Sequence, residues 1–241
     1  MDTYVAAIEQ WRKQREEALK APDGWLSVAG LIWLDEGENK VDGIVLVRRG
    51  STVWLGEKQL KSDEPGPADL ISVKDKTYLV IVRGNKTGLR VRDKKSAFLR
   101  DFSGLNWYPV RSEYRIEAKW IPYDPPRQRL LDTVLEGFEE AYLSPGVAEF
   151  EVGGATHQLE PMLSGKRLFF IFRDRTSGKT TYGASRFLYA EPTVDGKVIL
   201  DFNKAYNPPC VFTPHATCPL PPASNWLQVA IEAGELKYGD H

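Results

Sequence analysis

From Trp25 onward the chain is a series of short apolar or alternating runs, each cut off by glycine, asparagine or aspartate. LIWLDEGENKVDGIVLV, STVWLGEKQL and YLVIVRGNKTGLRVRD follow one another in this way. Runs this short cannot sustain a long helical face. A spacing of about 8 to 12 residues between turn signals is that of short strands in an all-β unit. Asp42-Gly43 and Gly84-Asn85 have the composition of two-residue hairpin turns. DEPGP, Asp63 to Pro67, reads as a polar loop, and the charged stretch Lys94 to Arg100 as the start of a linker.

The second half continues the pattern. Tyr114, Ile116, Ala118 and Trp120 alternate with Arg115, Glu117 and Lys119, the period of a half-buried strand. YDPPR is expected to form a loop after it. Further strands are predicted at 146–152, 156–160, 167–173, 180–190, 197–203 and 226–232, with Ser177-Gly178 and Asp195-Gly196 as hairpin signals among them. Only residues 2–20 depart from the trend. There Tyr4, Ile8, Trp11 and Leu19 recur near one helical face, Asp2 can cap the start, and Pro22-Asp23-Gly24 ends the run. The expected fold is mainly β. An N-terminal amphipathic helix (1–23) precedes a small β-sandwich-like domain (24–95) and a larger antiparallel β sandwich or barrel domain (100–241).

The composition supports a sizeable core. Of 241 residues 42% are hydrophobic, with seven Trp, ten Tyr and ten Phe to fill it. The 32 basic and 33 acidic residues leave a net charge of −1, which argues against nucleic acid or an anionic membrane as the main partner. Short basic clusters, Arg12 to Arg15 and Lys94-Lys95, read as solvated faces. No apolar run reaches the roughly 18 residues of a membrane span. The first 20 residues lack the apolar segment of a signal peptide. Two cysteines make no disulfide scaffold, so a cytoplasmic location is expected.

Candidate chemistry gathers in Leu200 to Pro222, LDFNKAYNPPCVFTPHATCPLPP, where both cysteines and one of three histidines lie in a proline-rich loop after a strand. Cys210, His215 and Cys218 have a C-x4-H-x2-C spacing that offers three zinc ligands, with His157, His241 or water as a fourth. Paired C-x2-C knuckles are missing. The same residues also read as a disulfide across the loop, as a Cys210–His215 nucleophile and base, or as buried inert thiols. Upstream, Arg186 and Asn203 fall on strand faces that can build an inward polar cluster with Tyr206 and Asn207. Arg186 could fork a carboxylate or phosphate there, or pair structurally with an aspartate such as Asp201. Trp107, Tyr108, Trp120 and Tyr123 are candidates for a pocket lining or a core cluster. Asn207-Pro208-Pro209 is a place where a cis bond is tolerated. No nucleotide-binding or zinc-protease motif occurs, and no cofactor is expected.

TSGKTTYGASRFLYA, VILDFNKAYNPPCVFTPHATCPLPPASNWL and IEAGE, with FSGLNWYPVRSEYRIEAKW and GWLSVAGLIWLDEGEN upstream, resemble a bacterial and archaeal family of proteins of unknown function. The likeness spans nearly the whole chain and implies no particular reaction. Residues 24–95 are also similar to a forkhead-associated β-sandwich, through WLDEGENKVDG and the GLRVRD ending. Asn39 to Gly43 lacks the arginine that phosphothreonine recognition in that fold requires, and no histidine precedes His157. The functional expectation is a non-catalytic binding module for a small anionic molecule or peptide, held by Arg186, Asn203, Tyr206 and Asn207. The alternatives are an enzyme using the Cys210, His215, Cys218 loop through metal or thiol chemistry, and a protein-interaction scaffold.

Overall fold

The one long helix among the described residues, α1 (Thr3–Lys20), buries Ile8 and Leu19 on the face that their spacing defines. Arg12 is buried with them, and the Arg15 side chain is only 14% exposed, so this basic cluster is not a solvated face. The stems of these arginines pack while their heads find partners inside the fold. The structure is a computed structural model that describes residues 3–64, 66–192 and 195–239. Asp2, the expected helix cap, lies outside them. The chain divides into two compact units. The larger holds Met1–Glu16, Gly104–Val211 and Thr217–His241, and the smaller holds Glu17–Ser103 and Phe212–Ala216.

In the smaller unit, two four-stranded antiparallel sheets form from the short runs. One is ordered β1 (Val28–Trp33), β8 (Lys86–Asp93), β7 (Lys76–Arg83), β6 (Leu70–Val73). The other runs β2 (Gly37–Val41), β3 (Ile44–Arg49), β4 (Thr52–Leu55), β5 (Lys58–Leu60). Leu46, Val53 and Leu60 of the second meet Tyr78, Val80 and Leu89 of the first in one core. Asp42 and Gly43 take φ of 47° and 84°, the left-handed pair that joins β2 to β3 in a tight hairpin. Gly84-Asn85 closes the hairpin between Arg83 and Lys86, with Gly84 alone of the two in the left-handed region at φ 55°. The Lys94 to Arg100 stretch is not a linker start. It contains a short helix, α2 (Ala97–Arg100), whose first turn is capped by Ser96, with the Phe98 N–H donating to its Oγ at 3.2 Å.

The larger unit also has two antiparallel sheets. The first is ordered β11 (Ala155–Leu159), β10 (Glu139–Val152), β9 (Arg115–Asp132), β15 (Lys197–Asp201). The second is β12 (Met162–Ser164), β13 (Arg167–Phe172), β14 (Arg186–Ala190). Ala118, Ala148 and Leu200 of the first sheet and Leu168, Phe170 and Leu188 of the second belong to one core, joined by Phe202, Leu227 and Ile231. The fold is thus mainly β, an N-terminal helix followed by several antiparallel sheets.

Several local readings are corrected. YDPPR is not a loop, because β9 runs through it. The register jumps from Pro122 opposite Gly146 to Arg127 opposite Ser144, so residues 123–126 bulge against Pro145. Prolines cannot donate to a ladder, and a bulge is where a sheet tolerates them. The cis bond described is Asp124–Pro125, not one in Asn207-Pro208-Pro209. Residues 180–185 lie outside β14, and 226–232 forms no strand. Leu227 N–H donates to Arg173 O (2.8 Å) and Arg175 N–H to Val229 O (3.1 Å). Leu227 and Ile231 are buried, so the alternation there reports burial rather than a ladder. Ser177-Gly178 lies within the long connection between β13 and β14. Asp195-Gly196 leads into β15, which pairs with β9 and not with β14. Among the described residues no helix is long and apolar enough to cross a membrane.

Candidate functional site

Arg186 stands on the core face of β14 beside Leu188 and Ala190, with no exposed surface. A cation there needs partners on every side. Its guanidinium forms an ion pair with Asp174, also fully buried, and donates to Ala233 O (2.6 Å) and Ile231 O (3.0 Å). It lies 4.9 Å from the centre of the Phe172 ring. The counter-ion is therefore Asp174, whose Oδ1 also accepts from the Thr176 N–H and hydroxyl. This is an internal strut that ties β14 to the C-terminal segment.

Asn203 is equally enclosed. Its Oδ1 accepts from the Arg111 N–H (3.0 Å), and its Nδ2 donates to Arg111 O (2.8 Å) and to the Tyr4 hydroxyl (3.0 Å). Tyr4 in turn donates to Asp201 (2.7 Å). Burial, then the bond to Asp201, holds the Tyr4 hydroxyl well above the usual phenol range, so it remains a donor. Asn203 thus positions α1 against the strand end.

Tyr206 and Asn207 meet a different group. Tyr206 pairs with Phe187 at the edge of β14, which places its ring on the outer face of the second sheet. Arg15 lies 4.3 Å from the centre of that ring, donates to Asn207 O (2.9 Å), and reaches Glu235 (3.1 Å). Glu235 has no exposed surface, and its second oxygen has no hydrogen-bond partner among the described residues. Burial outweighs Arg15 and raises the Glu235 carboxyl above its ordinary range. Asn207 donates to Leu236 O (2.7 Å), while its own Oδ1 is buried without a donor among the described residues.

Outward from this cluster the surface is aromatic and cationic. The Tyr189 and Tyr206 rings are near-parallel at 16°, with centres 6.5 Å apart, and Phe169 stacks on Tyr189 at 4.7 Å. Arg167 lies 4.0 Å over the Tyr189 ring, exposed and without an ion pair among the described residues. The Tyr206 hydroxyl has no hydrogen bond to a described residue, and crowding around it raises its pKa, so it is a protonated donor at neutral pH. Trp11 of α1 borders Tyr206 at 6.5 Å and Trp107 at 5.7 Å. Tyr189 also lines an open groove of about 630 Å³ with Arg115, Lys197, Lys204 and Glu191. Lys197 and Lys204 face Glu117 and Asp201 there, so the groove carries mixed charge.

Cys210 and Cys218 are both thiols, Cys210 half-buried and Cys218 buried. The Cys210 N–H donates to Cys218 Sγ (3.3 Å), and the Tyr182 hydroxyl lies 3.7 Å from Cys210 Sγ. His215 belongs to the smaller unit, where it meets Phe98 edge-on, and burial keeps its imidazole below the usual range. Among the described residues no three His, Cys, Asp or Glu are grouped to hold a metal ion. His157 packs on Phe150, and His241 lies outside the described residues. Of the four expected aromatics, Trp120 packs against the core. Trp107 lies under Arg12, Tyr123 under Arg127, and Tyr108 bonds Thr180.

Sequence reasoning missed Arg15, Tyr189, Arg167 and Glu235. Arg15 carried a signal, since it follows Trp11 by four residues on the same helical face. Tyr189 and Arg167 lie on the faces opposite Leu188 and Leu168, which the strand period assigns to the outside.

Residues 100–236 match a family described as "Protein of unknown function (DUF1684)". The chain is also similar to an uncharacterised protein of Haloarcula marismortui, an archaeal protein solved by solution NMR. The identity is 33% over 59% of this chain and 80% of that one, with a TM-score of 0.49. No curated protein matches the chain.

Proposed function

The chain belongs to the DUF1684 family of proteins of unknown function, and on that premise we propose that its larger unit is a non-catalytic binding module for a small anionic molecule. The seat is the outer face of the second sheet, with Tyr206 at its centre. The observation that carries the reading is the Arg167 guanidinium, without an ion pair among the described residues, 4.0 Å over the Tyr189 ring, which neighbours the near-parallel Tyr206 ring. A planar cation supported on a ring keeps its N–H edge free to fork a carboxylate or phosphate, and the adjoining rings accept the apolar part of such a ligand. Asn207, Arg15 and Glu235 support Tyr206 from behind, while Arg186 and Asn203 fix the strands that carry it. A cytoplasmic location, where thiols such as Cys210 and Cys218 are kept reduced, belongs to the same reading.

Titration of the full chain with benzoate, a carboxylate on a flat ring, tests this through the ring resonances of Tyr189 and Tyr206. Both are expected to shift. Arg167→Ala should weaken the titration roughly tenfold, the usual worth of a hydrogen bond to a charged group. If neither ring moves, or Arg167→Ala titrates like the parent chain, the binding reading is abandoned in favour of a scaffold.

A further inference from the structure

Two neighbouring cysteines, linked by the Cys210 N–H to Cys218 Sγ contact and one of them half-exposed and facing a tyrosine hydroxyl, carry chemistry that the binding surface does not use. The proline-rich loop brings them together. Pro208 and Pro209 turn the chain into a short 3-10 turn at Pro209–Val211, and Pro219 follows Cys218 directly. Phe212–Ala216, between the two cysteines, packs within the smaller unit, where the Thr213 hydroxyl donates to Val28 O at 2.9 Å. Cys210 and Cys218, both in the larger unit, flank that segment in the chain.

We infer that Cys210 and Cys218 are a peroxide-responsive dithiol, with Cys210 the attacking sulfur, Cys218 the resolving one, and Tyr182 the positioning residue that hydrogen-bonds the Cys210 thiolate. The assignment of roles follows from access and contacts. Cys210 is the more exposed, and Tyr182 reaches its sulfur at 3.7 Å. Cys218 is 5% exposed and already touches Cys210 through the 3.3 Å N–H to sulfur contact. Hydrogen bonding from Cys218, then from Tyr182 and from the Cys210 and Val211 N–H groups, outweighs burial and lowers the Cys210 thiol below its ordinary range.

The oxidant is hydrogen peroxide. The Cys210 thiolate attacks one peroxide oxygen, the S–O bond forms as the O–O bond breaks, and the departing hydroxide takes a proton and leaves as water. Cys218 sulfur then attacks the Cys210 sulfenic sulfur. The S–S bond forms, the S–OH bond breaks, and the hydroxide leaves as a second water with the Cys218 proton. The dithiol loses two electrons and peroxide is reduced to water. A small dithiol reductant reverses the change by exchange.

The test treats the full chain with hydrogen peroxide, then blocks remaining thiols with N-ethylmaleimide in denaturant and weighs the intact protein. Before oxidation two maleimides are expected, after oxidation none, and two again after dithiothreitol. Cys218→Ser should stop at a sulfenic acid on Cys210 that dimedone traps, whereas Cys210→Ser should leave Cys218 unoxidised. Tyr182→Phe should slow oxidation severalfold at neutral pH, because the thiolate loses a hydrogen-bond donor, with the difference vanishing in alkali. Two maleimides after peroxide, dimedone on Cys218 instead of Cys210, or a Tyr182→Phe rate equal to the parent's at neutral pH would overturn the inference. The readout is independent of benzoate binding, so either proposal can fail alone.

Discussion

At the residue scale, burial decides what the charged groups of the larger unit can do. The Arg186 and Asp174 side chains have no exposed surface, so each depends on the other. Arg186→Met is expected to cost about 3–5 kcal/mol, because it leaves a buried carboxylate unpaired. Urea unfolding measures this, and Arg186→Met with Asp174→Leu should recover part of the loss. A midpoint unchanged in the single variant would sink the strut role. Glu235 sets a pH dependence of known sign. In the unfolded chain its carboxyl loses its proton in the ordinary carboxyl range, whereas the folded protein retains it to higher pH. Between those limits the folded state binds more protons, so this residue's contribution to stability falls as pH rises. Glu235→Gln should remove that slope, which appears as the difference between the two chains' urea midpoints across the pH range. A difference that does not change with pH would contradict the buried-acid reading.

At the element scale, the turns and the bulge show how much of the fold was legible. Asp42-Gly43 and Gly84-Asn85 were legible because a two-residue hairpin needs backbone angles that few residues adopt. The β9–β10 bulge was not. Its prolines are local signals for interruption, but the long ladder on both sides carries the strand across them. Gly146 shows how tight that crossing is. A Cβ there would fall 2.4 Å from Ile121 O and 2.7 Å from Trp120 Cζ2. Gly146→Ala is expected to destabilise by about 1–3 kcal/mol through overpacking, read as a shift in thermal midpoint. Ser96→Ala should cost about 1 kcal/mol by removing the α2 cap. Variants as stable as the parent would show that these contacts are slack.

At the scale of the whole molecule, α1 completes the larger unit, although the family match begins only at residue 100. Ile8 is buried, Arg12 lies 4.9 Å from the centre of the Trp107 ring, and Arg15 is the ion partner of Glu235. A chain beginning at residue 21 should lose stability and become readily cut by protease within 104–239. An intact protease-resistant larger unit would show α1 to be dispensable. The candidate site was half legible for the same reason. Tyr206 and Asn207 are marked by the local turn chemistry around them. Their partners Arg15 and Glu235 lie 191 and 29 residues from Tyr206 along the chain, and nothing local links them. Periodicity and turn residues are short-range properties, so the sequence by itself determined the strand-rich fold, the helix face, the tight hairpins and the place of the proline-rich loop. Only the tertiary structure decided that Arg186 pairs with Asp174, that Arg15 lies over Tyr206, and that Cys210 touches Cys218 and Tyr182. Those contacts lie outside any helix or strand period, whether their residues are 8 apart, as Cys210 and Cys218 are, or 191, as Arg15 and Tyr206 are, and burial, not sequence distance, selects which charges and thiols meet.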